Sequence, residues 1–391
     1  MIRAHLLSSS WPRATLSDVV DFLDNLRRPV KSTERVEGPY PYYGANGQQG
    51  TINNYIFDEP LILLAEDGGH FGVPERRIAY SISGKSWVNN HAHVLRPKEG
   101  VDLQFLQRHL EHYDVTRYIT GSTRAKLTKA DASRIEVVLP PFEEQRRIAA
   151  ILDKADAIRR KRQQALTLAD ELVQSHFLSS VGPNAKGYDD WARVELETLA
   201  EPVRGAMRTG PFGSDLKHSE FVGSGIAVLG IDNAVKNRFE WAERRYITPE
   251  KYEKLKRYTV KPGDVIVTIM GTTGRSSVVP DDVPLAITTK HLATITVDRS
   301  KAEPEFISNA IHRHPYLLQQ ILKQNKGAIM AGLNLGIIKG LQVPLPPLDV
   351  QRDFVNSLDK IRLLEKKNRM ELHKAEELFA SLSQRAFRGE L

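Results

Sequence analysis

The stretch LPPFEEQRRIAAILDK (residues 139–154) returns 206 residues later as LPPLDVQRDFVNSLDK (residues 345–360). Laid together without a gap, residues 139–177 and 345–383 share 14 identities. They include Gln145 with Gln351, Arg146 with Arg352, Leu152-Asp153-Lys154 with Leu358-Asp359-Lys360, and Glu171-Leu172 with Glu377-Leu378. A Pro-Pro pair cannot continue a strand, because proline lacks the ladder N–H, and an acidic residue after it suits the positive end of a helix. Neither copy then meets Pro or Gly for about 35 residues. Ile148, Leu152, Ala155, Leu166, Ala169 and Val173 follow the spacing of a coiled-coil seam, as do Phe354, Leu358, Ile361, Leu372, Ala375 and Phe379. The seam turns polar at its middle, Arg159 and Arg162 in one copy and Glu365 and Asn368 in the other, which costs stability and fixes register.

The repeat extends outward from the helices. Gly121, Ala125, Leu127 and Val137 match Gly327, Ala331, Leu333 and Val343, and WPR at Trp11 matches WAR at Trp191. Between these landmarks, strand-like runs (PLILLAED, DVIVTIMG, AHVLRP, ATITVD) alternate with Gly-rich turns, and a helical segment precedes the last loop of each half. The expected fold class is therefore α/β (α+β), with two pseudo-repeated domains separated by a long antiparallel two-helix coiled coil. The boundaries are residues 1–141 for the first domain, 142–180 for the first helix, 181–347 for a linker and second domain, and 348–391 for the second helix and tail.

Length and composition agree with folded domains: 391 residues, 41% hydrophobic and 26% charged, suit two or three cores. Cysteine is absent, which excludes disulfides and thiolate metal sites. The opening MIRAHLLSSSWPR is too short in apolar residues for a signal peptide, and no run approaches the roughly 20 residues of a membrane helix. A cytoplasmic protein is expected. The net charge of +7 and an isoelectric point near 9.3 favour a polyanionic partner.

Three signals resemble catalysis and fail on chemistry. LPPF (residues 139–142) has the outline of the Pro-Pro-aromatic loop of amino-methyltransferases, but Leu139 cannot accept a hydrogen bond from an amine, and the second copy carries Leu348 in place of the aromatic. AYSISGKS (residues 79–86) has Gly84, Lys85 and Ser86 in phosphate-loop order, yet a strand-like run follows where a helix must begin, so a hairpin turn is expected. His91 and His93 alternate on a strand without evident further ligands, so a polar surface face is expected and no metal.

The remaining signal is a set of polar, Gly-bearing loops at matching places in the two halves. Asn and Gln bridge adenine edges, Arg and Lys guanine edges, and Ser, Thr and backbone amides take phosphates. In the first half the candidates are Tyr43, Asn46, Gln48, Gln49, His70, Lys85, Asn89, Asn90, His91, Ser122, Thr123, Arg124 and Lys126. In the second they are Arg208, Thr209, Lys217, Thr272, Thr273, Arg275, Lys290, His291, Lys326 and Asn334.

With the paired LPP-x-x-x-QR…LDK helices, the closing SLSQRAFRGEL (residues 381–391) and GSTRAKLTKADASRIEVVLPP (residues 121–141), the chain resembles the specificity subunits of Type I restriction-modification systems over essentially its whole length. The resemblance implies a non-catalytic DNA reader with two target recognition domains, similar to those of monomeric adenine methyltransferases, each reading half of a split, asymmetric site. It implies that two modification subunits dock on the helices and use S-adenosylmethionine to methylate one adenine on each strand. Two restriction subunits using ATP and magnesium would join them, with no cofactor in this chain. The coiled-coil and docking set would be Gln145, Arg146, Ile148, Leu152, Ala155, Leu166, Ala169 and Leu172, with Gln351, Arg352, Phe354, Leu358, Ile361, Leu372, Ala375 and Leu378. A helix of about 35 residues is roughly 50 Å long, against roughly 34 Å for a turn of DNA, enough to set two domains on successive major grooves. The first copy enters the linker PNAKGYDD where the second continues, so the two helix ends are not equivalent. An autonomous bipartite DNA-binding regulator and an ATP-using nucleic-acid enzyme built on Lys85 are the alternatives.

Overall fold

A computed structural model describes residues 11–73, 76–121, 124–241, 243–325 and 332–391. The first half contains β1 (Arg13–Thr15), α1 (Leu16–Val19), β2 (Val20–Phe22), β3 (Tyr40–Gly44), β4 (Gly47–Ile52), β5 (Phe57–Asp58), β6 (Leu61–Ala65), β7 (Ala79–Ile82), β8 (Lys85–Val88), β9 (Ala92–Pro97), α2 (Leu103–Leu110), α3 (Lys129–Ser133) and β10 (Glu136–Val138). The long helix α4 (Phe142–Ser180) follows. The second half contains β11 (Arg193–Glu195), β12 (Met207–Thr209), β13 (Ile226–Leu229), β14 (Tyr246–Ile247), α5 (Pro249–Leu255), β15 (Val265–Thr268), β16 (Ser276–Val278), β17 (Ala286–Thr288), β18 (Leu292–Ile295), α6 (Pro304–Arg313), α7 (Pro315–Asn325), α8 (Leu335–Lys339) and β19 (Gln342–Pro344), before α9 (Leu348–Arg388).

Both halves build the same frame. β6, LILLA, is wholly buried, the pattern of a central strand covered on both faces. It lies in the antiparallel order β2-β9-β6-β7, and its counterpart is β12-β18-β15-β16. A second sheet, β4-β3-β8-β5, holds β3 and β8 parallel, as β13 and β17 are parallel in β14-β13-β17. Each half is closed by a ribbon, β1 with β10 and β11 with β19, in matching register. The equivalence reaches single bonds. The Leu16 N–H donates to the Ile135 carbonyl at 2.8 Å and Leu196 to Leu341 at 2.9 Å, while Thr128 and Asn334 cap α3 and α8.

The chain forms two compact units, Met1–Gln164 with Arg369–Leu391 and Ala165–Asn368, so each long helix gives one part to each unit. In the first, Ile148, Leu152 and Ala155 of α4 share a core with Phe379, Ala386 and Phe387 of α9. In the second, Phe177 near the end of α4 meets Phe354 near the start of α9, ring centroids 5.7 Å apart. Start meets end in both units, so the helices pair antiparallel. Val173 and Phe379 are buried in the expected seam, whereas Leu172 and Leu378, of the wider docking set, lie about 100° round the helix from them and are 52% and 50% exposed. Ala169, Ile361 and Leu372 are half-buried at its edge.

Each helix is also fixed to its own domain. Gln145 is buried, its Oε1 accepting from the Asp102 N–H at 2.8 Å and its Nε2 donating to the Pro140 carbonyl at 2.9 Å. Gln351 repeats this with the Glu303 N–H at 2.9 Å and the Pro346 carbonyl at 2.8 Å. These two glutamines are therefore internal fasteners and not docking groups. Arg146 and Arg352 stay on the surface, paired with Glu143 and Glu303 at 3.6 and 3.0 Å. Buried Arg108 of α2 adds bonds to Asp153 at 2.6 Å and Asp156 at 3.1 Å on α4. Burial pushes the Asp156 carboxyl up, but Arg77, Arg108 and Arg159 outweigh it and hold the carboxyl far below the usual carboxylate range. Among the described residues no helix is long and apolar enough to cross a membrane.

Candidate nucleic-acid interface

In a parallel strand pair both chains leave the sheet at the same end, so the loops after β3 and β8 meet, joined by the loop after β6. They form a cleft of about 610 Å³ lined by Arg35, Asn46, Gln49, Asp67, Asn89, Asn90, His91 and Arg124, among others. Six of those named were expected from sequence; Arg35 was not because it lies outside the candidate loops, and Asp67 was not although it shares the EDGGHFG loop (residues 66–72) with His70. Asn46 Nδ2 donates to the Gly68 carbonyl at 2.9 Å, Asn89 Nδ2 to Gln49 Oε1 at 3.1 Å, and Arg124 to Asp67 at 3.0 Å. His91 Nδ1 also pairs with Asp67. The Arg35 guanidinium lies 3.6 Å from the centre of the Tyr42 ring and donates to the Gln49 carbonyl at 3.3 Å. The cleft is thus rich in N–H donors held on a rigid floor.

Beneath it lies an ion-paired layer. His93 is wholly buried, so the two histidines do not share a polar surface face. Its Nδ1 meets Asp24 at 2.7 Å and its Nε2 donates to the Leu127 carbonyl at 2.9 Å. Asp24, Glu66 and His93 bring ligand-type atoms within 4.8 Å of one another, acidic neighbours that their spacing in sequence concealed. Arg27 and Lys126 already engage Glu66 at 2.6 and 3.0 Å. Burial pushes the Glu66 carboxyl up, and the bonds from Arg27 and Lys126 bring it below its ordinary value. Two cations on one carboxylate make this a salt-bridge network that anchors the loop carrying Arg124, rather than a cation cage.

The other first-half candidates lie elsewhere. Tyr43 packs against a core cluster, and strand alternation gives the cleft Tyr42 instead. Gln48 is exposed on β4 and bonds to the Gly50 carbonyl at 3.1 Å, while His70 is half-buried outside the cleft lining. Lys85 begins β8, at the opposite end from Asn89, with its ammonium 4.8 Å from the centre of the Tyr55 ring. Gly84 turns there with φ +69°, joining β7 and β8 of different sheets, so the expected hairpin is a sheet-to-sheet turn. Ser122 and Thr123 lie outside the described residues, as does Lys326.

The second half keeps the frame and changes the groups. Asn89 donates its N–H to the Tyr43 carbonyl and Thr289 to that of Leu229; Glu66 donates to His91 and Ile269 to His291. These bonds equate Asn89-Asn90-His91 with Thr289-Lys290-His291, and Asp67 with Met270. Lys290 is exposed and His291 half-buried. Burial, then Lys290 and Arg245, hold His291 below its ordinary value. Thr272, Lys217 and Arg275 are exposed, Arg275 beside His312 Nε2 at 3.1 Å, and Thr209 and Thr273 are half-buried. Arg208 turns inward to Asp264 at 2.9 Å and to the Thr259 carbonyl at 2.6 Å. Asn334 is the α8 cap, accepting from the Ile337 N–H at 2.9 Å. Both have structural employment that a polar loop sequence does not reveal.

Two copies of one strand frame, each carrying a different polar loop set and fastened to paired helices, define a bipartite recognition protein. The chain belongs to the Type I restriction modification DNA specificity family, whose model matches residues 8–168 and 190–374. A Haemophilus influenzae protein named as a type I restriction enzyme specificity subunit is 28% identical over 357 residues, 89% of this chain and 87% of its own. The MjaVIII specificity subunit of Methanocaldococcus jannaschii is 21% identical, covering 95% and 91%. In fold the chain is similar to the S subunit of the M. genitalium Type I system, with TM-score 0.62 at 14% identity over 97% and 96% of the two chains. It is also similar to a chain from a structural study of type I assembly and conformational transition, with TM-score 0.53 at 17% identity over 97% and 98%.

Proposed function

We propose that each domain reads one half of a split, asymmetric DNA site and that the helices set the unread spacer and dock two modification subunits. Those partners would use S-adenosylmethionine to methylate one adenine on each strand, and two restriction subunits using ATP and magnesium would complete the complex. The observation that carries the reading is the doubled frame with unlike loops: Asp67, Asn89 and Asn90 in one unit stand where Met270, Thr289 and Lys290 stand in the other. Equal scaffolds with unequal hydrogen-bonding groups suit two different half-sites. Paired docking is supported by apolar residues left exposed at repeat-equivalent positions, Ile158 with Leu364 and Leu172 with Leu378. Long-read methylome sequencing of cells expressing this chain with a cognate modification subunit tests the proposal. A methylated bipartite motif is expected, and its absence from cells containing the assembled complex refutes it.

A further inference from the structure

Gln49 sits where β3 and β4 fall out of register. Tyr42 faces Gly50 and Tyr43 faces Gln48, so Gln49 is the extra residue of a β-bulge. A bulge re-aims a side chain out of the strand's alternation, and Gln49 is exposed and lines the cleft. The orientation of its amide follows from a backbone group of unambiguous polarity. The His91 N–H donates to Asn89 Oδ1 at 2.9 Å, so the other end of that buried amide is Nδ2, and Nδ2 donates to Gln49 Oε1 at 3.1 Å. With one lone pair of its oxygen taken in this way, the NH2 group is the end of the Gln49 amide left wholly without a partner. Among the described residues no partner takes Gln49 Nε2. Gly44 lies against this pair, and a Cβ there would push Gln49 Nε2 and Asn89 Nδ2 aside.

We infer that Gln49 reads the acceptor edge of a guanine in the major groove, and that Asn89 is the positioning residue that sets this polarity. The inference rests on the proposal that the cleft faces DNA. Guanine offers N7 and O6 as acceptors and no donor, whereas cytosine offers a donor and adenine sets a donor beside its acceptor. A glutamine with its oxygen already engaged matches guanine. The two carboxylates that line the cleft among the described residues do not reverse this, since Asp67 is taken up by Arg124 and His91 and Glu34 pairs with Lys31 at 3.5 Å. The second unit has Thr289 in place of Asn89, so the device belongs to the first half-site alone.

The test is methylation of a randomised DNA library by the complex reconstituted with its modification subunit, read by sequencing, for the unmodified chain, Gln49→Glu and Asn89→Asp. Gln49→Glu replaces the offered donor with an acceptor. Asn89→Asp keeps the bond from the His91 N–H but presents an acceptor to Gln49, turning its amide round. Both variants are expected to move one and the same position of the first half-site from guanine toward adenine or cytosine by about tenfold, with the second half-site intact. An unchanged first half-site, or an altered second one, overturns the inference. Should the buried Asn89→Asp prevent assembly, the exposed Gln49→Glu decides alone. A split motif insensitive to these changes overturns only the roles of Gln49 and Asn89, whereas no split motif for the unmodified chain overturns the parent reading.

Discussion

His109 is wholly buried, with Nε2 donating to the Glu136 carbonyl at 3.0 Å and Nδ1 without a partner among the described residues. Burial lowers it from 6.5 to about 4, because a proton on Nδ1 would place an unpaired charge in the core. The folded-state value is depressed, so the associated stability is complete above the unfolded value near 6.5 and is lost as pH falls toward 4. The total is about 3 kcal/mol, about two-thirds of it gone by pH 5. Denaturant unfolding at pH 7 and pH 5 should show this loss, and His109→Leu should remove its share of the dependence in that window, leaving the share of His312 and His314, which burial also holds low. Carboxylates held low by cations, such as Asp156 and Glu66, titrate below it. At this scale the sequence was a partial guide. That Asn46, Gln49, Asn89, Asn90, His91 and Arg124 gather in one cleft was legible, because polar residue types coincide there with loop positions. Arg208 and Asn334 were not, since an arginine that pairs internally and an asparagine that caps a helix look the same in sequence as ones that face a ligand. The bulge at Gln49 was equally hidden, because register is decided by partner strands.

The long helices were the most legible elements, for each begins at a Pro-Pro pair and meets no breaker for its length. The use of Gln145 and Gln351 was not legible, because their identity across the repeat fits a conserved fastening as well as a partner contact. The structure shows the fastening: each glutamine accepts from the backbone N–H of the residue that opens α2 or α6, Asp102 and Glu303. Replacing either with Ala leaves a buried N–H and a buried carbonyl without their partner. The expected cost is about 1–3 kcal/mol each. Hydrogen exchange should show faster opening confined to the unit that carries the change, near Asp102 for Gln145→Ala and near Glu303 for Gln351→Ala. Equal opening in both units would mean that the glutamines do not act locally. The seam itself followed its apolar spacing, with Val173 and Phe379 enclosed, while Leu172 and Leu378 beside them stay exposed.

Across the whole molecule, the same topology is written twice with divergent residues, and that is why the frame was foreseeable while the recognition surface was not. The strand segments follow from apolar runs and turns that both halves share, whereas their order in the sheets is set by pairing and base preference would depend on which donors each loop presents. The chain passes from one compact unit to the other within α4 at Gln164–Ala165 and within α9 at Asn368–Arg369. The chain thus crosses between the units only along the long helices, so the proposal makes a distinct demand on these crossings. Inserting four residues near Ala165 adds about one helical turn, about 5.4 Å, to the connection. With base pairs stacked at roughly 3.4 Å, the unread spacer should lengthen by one or two base pairs while both half-sites keep their sequence. Methylation-site mapping of the insertion variant measures this directly. Altered half-sites with a fixed spacer would show that α4 contributes to reading and not to spacing, whereas a longer spacer with both words intact assigns spacing to the helices and sequence to the loops.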